Sequence, residues 1–206
     1  MFRRAESRFA SFGLLAAAAI GAFAASPALA QFRGAYGFLQ AVESRDGTKA
    51  TDALKDDPSF VNTRNPDTGE TALILTTKRR DIQWVRWLLG KDADPSISDR
   101  QGVTPLMHAA LINFPEGAEA LLGDKAPVDQ TNRRGETALI LAVQNKNIPV
   151  IRLLVRNGAN PDKADHIAGM SARDYAKRDD RTGTILPLLD AKSDAVRDSS
   201  AVFGPK

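Results

Sequence analysis

Apolar positions in the middle of this chain fall into pairs of short helical runs divided by polar turns, and the pair recurs. Leu106 to Ile112 is Ala-rich, breaks at Asn113-Phe114, and resumes from Pro115 to Leu122. The figure returns as Leu139 to Gln144, then a second run starting at Pro149 with Ile151, Leu153 and Leu154 as its buried stripe. Upstream, Ile82, Trp84, Val85, Trp87, Leu88 and Leu89 mark another second helix. This spacing predicts two short amphipathic helices per unit, with both tryptophans packed in the core.

The turns repeat as well. Gly69, Gly102, Gly135 and Gly169 lie 33, 33 and 34 residues apart, each opening a version of Gly69-Glu70-Thr71-Ala72-Leu73. Thr71, Thr104 and Thr137 supply capping hydroxyls just before an Ala or Pro, so they mark helix starts, and the preceding glycines mark tight turns. Asn157-Gly158-Ala159-Asn160-Pro161 closes a unit, with Gly158 suited to the left-handed position after a helix. Pro58, Pro66, Pro95 and Pro161 read as loop stiffeners. A fixed period near 33 residues indicates a solenoid, whose units bury apolar faces only against neighbours. Function is then expected on the surface of the stack.

The phrases Thr104-Pro105-Leu106 with Ala109-Ala110, Leu88-Leu89 with Ala93-Asp94-Pro95, and Leu153-Leu154 with Gly158-Ala159-Asn160-Pro161 resemble the ankyrin repeat family. The resemblance implies an all-α ankyrin-repeat solenoid over residues 31–192. Its five units fall at about 33–65, 66–98, 99–131, 132–165 and 166–191. The first carries Phe38 to Val42, and the last Ser171 to Ala176. Where the family usually has His after Thr-Pro-Leu, this chain has Ile74, Met107 and Ile140, so apolar packing replaces a hydrogen bond. Asp92 and Lys125 stand where the fourth unit has Gly158, and a left-handed side chain there costs on the order of 1 kcal/mol. Gly117 inside a helix is expected to soften the third unit.

The resemblance further implies recognition through hairpin tips and the concave side of the inner helices. Carried onto this sequence, that surface comprises Asp67, Glu70, Lys78, Arg79, Arg100, Gln101, Val103, His108, Leu111, Ile112, Arg133, Arg134, Glu136, Gln144 and Asn145. Leu111 and Ile112, rimmed by arginines, have the make-up of an interface centre and are expected to point away from the stack.

Catalytic chemistry has few candidates. The histidines are His108 and His166, in different units, and there is no cysteine, so triads, thiolate metal sites and disulfides lack parts. Asp67-Thr68-Gly69 matches a short aspartic-protease phrase, but it follows Asn65-Pro66 in a turn without the required strands. Lys78-Arg79-Arg80 reads as a solvated helix end. We expect no enzyme activity, no metal and no cofactor.

Residues 1–30 have a different grammar. Arg3, Arg4 and Arg8 precede an Ala-rich run from Phe9 to Ala25, and Ala28-Leu29-Ala30 offers small residues at both cleavage positions. This predicts a secretory signal peptide, with an uncleaved anchor as the competing reading. Removing Arg3, Arg4, Arg8 and Glu6 lowers the formal charge from +3 to +1, leaving no global basic field for nucleic acid. Residues 193–206 are polar and read as a disordered tail. The expectation is a monomeric protein-binding module in the periplasm or secreted, without a membrane span after cleavage. A host-directed effector and a self-associating structural protein are the alternatives. N-terminal sequencing of the protein recovered from the periplasmic fraction should begin at Gln31; Met1 retained in the membrane fraction would contradict export by cleavage.

Overall fold

A computed structural model describes residues 27–190, Thr182 aside, with side chains from Arg33 onward. The predicted leader up to residue 26 and the predicted tail lie outside the described residues. The helices are α1 (Pro27–Glu43), α2 (Gly47–Asp56), α3 (Ala72–Lys78), α4 (Ile82–Leu89), α5 (Pro105–Leu111), α6 (Pro115–Gly123), α7 (Ala138–Gln144), α8 (Ile148–Arg156) and α9 (Ala172–Asp179). A 3-10 turn, Pro58–Asn62, follows α2, and 185–190 is helical. Because α1 starts at Pro27, the predicted cut after Ala30 falls inside it.

Odd-numbered helices form an inner row in which each packs on the next, and each also packs on the outer helix of its own pair. The fold is therefore the predicted all-α solenoid, with no named strand among the described residues. Each inner helix from α3 onward begins where a hydroxyl captures a free amide. Thr71 accepts from the Ile74 amide at 3.3 Å, Thr104 from Met107 at 3.2 Å, and Thr137 from Ile140 at 3.2 Å. Ser171 completes a reciprocal capping box with Asp174. Ile74, Met107 and Ile140 are almost wholly buried, so apolar packing fills that position as expected.

Three backbone bonds fix the pitch of the stack. The Arg100 amide donates to the Thr68 carbonyl (3.0 Å), the Arg133 amide to Gln101 (3.0 Å) and the His166 amide to Arg134 (2.8 Å). Each ties one hairpin tip to the tip before it. The glycines make this approach possible. Gly69, Gly102 and Gly135 have φ of +76°, +80° and +79°, and a Cβ on each would lie 2.9, 3.0 and 2.6 Å from the amide nitrogen of the next tip.

Two sequence expectations need correction, and the helical glycine gains a reason. Gly117 has a packing reason, because the Phe114 ring occupies the space a Cβ would take; that ring is also capped by the Arg80 guanidinium at 5.3 Å. In α8, Val150, Ile151, Leu154 and Val155 are buried, whereas Leu153 is partly exposed on the flank of the stripe. Trp84 and Trp87 are only partly buried, packed edge to face with centroids 5.1 Å apart. Asp92 and Lys125 are left-handed as expected, and so are Arg45, Arg80, Asn113 and Lys146 in the turns between paired helices.

Gly135→Ala and Gly169→Ala separate the two roles of the hairpin glycine. Both are left-handed, but nothing lies within 4 Å of a Cβ at Gly169. Gly169→Ala should cost about 1 kcal/mol from backbone strain, and Gly135→Ala about 1 to 3 kcal/mol more from the clash with the His166 backbone. Urea melts of the two variants measure the difference.

Candidate partner-binding groove

The hairpins of the third and fourth units and the inner helices beside them line a groove of about 440 Å³. Its walls bring together seven of the predicted residues: Gln101, Val103, Leu111, Arg133, Arg134, Glu136 and Gln144. Asn132 and Leu141 complete it and were missed by sequence reasoning. Val103 and Leu111 are half-buried, Leu141 is buried, and Arg133 and Arg134 are exposed. The floor is apolar and the rim cationic.

Most of the remaining predicted residues are committed within the protein. Lys78 pairs with Glu70 at 2.6 Å. Arg79 reaches back one unit, donating to the carbonyls of Glu43 (2.9 Å) and Val42 (3.0 Å) at the end of α1. Arg80 reaches forward one unit, to the carbonyls of Ile112 (2.8 Å) and Asn113 (2.9 Å) at the end of α5. The basic run is thus a staple between three units and not a solvated helix end, since cations satisfy helix C-terminal carbonyls. Arg100 donates to the Pro66 carbonyl. Asn145 donates to Leu141 of its own helix at 2.8 Å. Asp67 is exposed at the second hairpin, away from the groove.

Ile112 does not line the groove. Leu111 ends α5 and Ile112 caps it, so the two consecutive side chains point in different directions; both are half-buried against the core. The expectation that both point away from the stack is therefore corrected. Glu136 is also largely internal, 7% exposed, accepting from Asn132 Nδ2 at 2.8 Å and lying 3.6 Å from Arg134.

A second series underlies these positions. Asn65, Asp99, Asn132 and Asp165 lie three or four residues before the hairpin glycines. Each accepts two amides of its own hairpin through one side-chain oxygen. The second side-chain atom of three of them is clasped from nearby. Asp99 meets His108 Nε2 (3.2 Å), Asn132 meets Glu136, and Asp165 accepts from the Tyr175 hydroxyl (2.6 Å). His108 and Tyr175 both stand four residues after their helix cap, so they occupy the same register. The recurrence of Asn or Asp at this spacing was the available signal.

His108 is accordingly a positioning residue. Its side chain is 13% exposed, and since a carboxylate only accepts, Nε2 carries the proton donated to Asp99. Burial lowers the His108 pKa, outweighing the opposing pull of Asp99. At Asp165, burial pushes the carboxyl up, but the Tyr175 hydroxyl and the Ala168 and Ile167 amides outweigh it and hold the pKa below the usual range. Among the described residues no group of three or more His, Cys, Asp or Glu converges, and no helix is long and apolar enough to cross a membrane.

A lowered His pKa means that the unfolded chain binds the proton more tightly. The stability His108 contributes is therefore fully present above its ordinary value of 6.5 and is lost as pH falls toward its folded value. The urea midpoint should decline as pH falls below about 6.5, and His108→Gln should flatten that decline. Parallel curves for the two proteins would contradict this role.

The profile of the family described as "Ankyrin repeats (3 copies)" matches residues 38–132 and 81–165. An ankyrin repeat-containing protein of Treponema pallidum is 36% identical over 110 residues, 53% of this chain and 37% of that protein. An ankyrin repeat protein of Fowlpox virus is 38% identical over 91 residues, 43% of this chain and 27% of the relative. Alpha-latrotoxin-Lg1a of Latrodectus geometricus is 32% identical over 132 residues, 63% of this chain but 10% of the toxin. The similarity thus spans well under half the length of these relatives. With the profile covering more than half of the chain, and its helices stacked in the corresponding units, this protein belongs to the ankyrin repeat family, whose repeats are protein–protein interaction modules.

Proposed function

We propose that the protein is exported to the periplasm and there binds an envelope protein through the groove between its third and fourth hairpins. The observation that carries the site is the chemistry of that groove: Val103, Leu111 and Leu141 form an apolar floor, and Arg133 and Arg134 form an exposed rim. Apolar surface ringed by Arg is where binding energy concentrates in protein interfaces. The bound surface is preorganised, since the hairpin tips are hydrogen-bonded in sequence, and little ordering cost falls on this side. The charged leader followed by Ala28-Leu29-Ala30 supports the compartment. The protein acts there as a binding module, and the His108–Asp99 pair holds a hairpin of that surface in place.

Photo-crosslinkers placed at Gln101 and at Gln144 should capture the same envelope protein, while one at exposed Glu119 on α6 should not. Leu111→Ala should weaken capture by about 1 to 2 kcal/mol in binding, and Arg133→Glu with Arg134→Glu should slow association and change its salt dependence. Equal capture from Glu119, or unchanged binding in Leu111→Ala, would move the interface off the groove.

A further inference from the structure

The outer row of helices is interrupted at one place. Helix α4 packs on α6 and α6 on α8, but α2 stands off from α4. The gap is a cleft of about 390 Å³, with Arg45 and Thr51 on one wall and Gln83, Trp84 and Trp87 on the other. A second hollow of about 380 Å³ shares Arg45, Gln83 and Trp84 and continues to Arg79 and Arg80. Aromatic surface therefore adjoins Arg45, while Arg79 and Arg80 line the second hollow with their guanidinium groups turned to the ends of α1 and α5. Either volume suits one small molecule.

The charge in this cleft is unbalanced. Asp81 is the only carboxylate among the lining residues, and it is paired with Arg45 at 3.1 Å. Arg79 and Arg80 donate to backbone carbonyls, whose dipoles satisfy hydrogen bonds but carry no net charge. Two cationic charges are left uncompensated. The Arg45 side chain is 61% exposed and meets Asp81 through its Nε. A cationic ligand is disfavoured here by like-charge repulsion, and a planar carboxylate matches the guanidinium fork.

We propose that this cleft is a second binding site, separate from the groove, for a small aromatic carboxylate. The ring packs against the steeply inclined indoles of Trp84 and Trp87, and the carboxylate lies toward Arg45. Aromatic rings favour offset or edge-to-face partners at the spacing this pair already shows.

The chain contains two tryptophans, and both line this cleft, so indole fluorescence reports on it alone. Titration with 3-phenylpropanoate should give a saturable change. The neutral 3-phenylpropanamide and the aliphatic hexanoate should each bind at least about tenfold more weakly, because each lacks one of the two matched features. Gln83→Glu sets a carboxylate at an exposed position of the wall and leaves the core untouched; it should weaken 3-phenylpropanoate at least about tenfold with an unchanged circular dichroism spectrum. Arg45→Gln should act in the same direction. A non-saturable response, equal affinity for the acid and its amide, or full affinity in Gln83→Glu would overturn the proposal.

Discussion

The close approach of successive hairpin tips is the constraint on which the rest of this molecule depends. Each bond, from the amides of Arg100, Arg133 and His166, requires the tip of one unit to sit against the backbone of the next. Only a residue without Cβ allows this, and it must also be left-handed, so Gly69, Gly102 and Gly135 meet two demands at once. A single such bond contributes roughly 0.5 to 1.5 kcal/mol net. Its larger consequence is geometric. By fixing the offset between units it sets which inner-helix side chains meet, and hence the shape of the groove.

Several polar and charged side chains reach into neighbouring units and secure that geometry. Arg79 and Arg80 close helix ends in the units on either side of their own. Asn147 donates to the Ala110 carbonyl at 2.6 Å, and Gln130 to Ser96 at 3.0 Å. Each of these links joins residues more than thirty positions apart and gives a backbone carbonyl a partner in another unit. The groove proposed for a partner, the Arg133–Arg134 rim with the apolar floor beneath it, takes its shape from these internal links.

The repeat period, the Thr caps and the left-handed Asp92 and Lys125 were legible in the sequence because each is a local rule carried by one residue and its neighbours. Seven of the groove residues were legible for the same reason, since register along the repeat determines them. Long side chains were not. Lys78, Arg79 and Arg100 share the register of surface positions, yet an arginine can reach a carbonyl in another unit, and no local pattern reveals whether one is there. Ile112 failed differently: one residue past a helix end, the helical period no longer gives its direction. Trp84 and Trp87 looked like core because helices α4, α6 and α8 do form a closed row, and nothing in the local pattern signals that α2 stands apart.

The central claim is that the tips are locked to one another, and amide hydrogen exchange of the Arg133 backbone tests it most directly. This amide belongs to a surface turn between two internal units, where an unbonded group would exchange freely with solvent. The account predicts protection approaching that of the buried helix amide of Leu154, so that exchange waits on separation of the units. Exchange at the rate of an open loop would show that the hairpins are not coupled, and that the groove has no fixed shape.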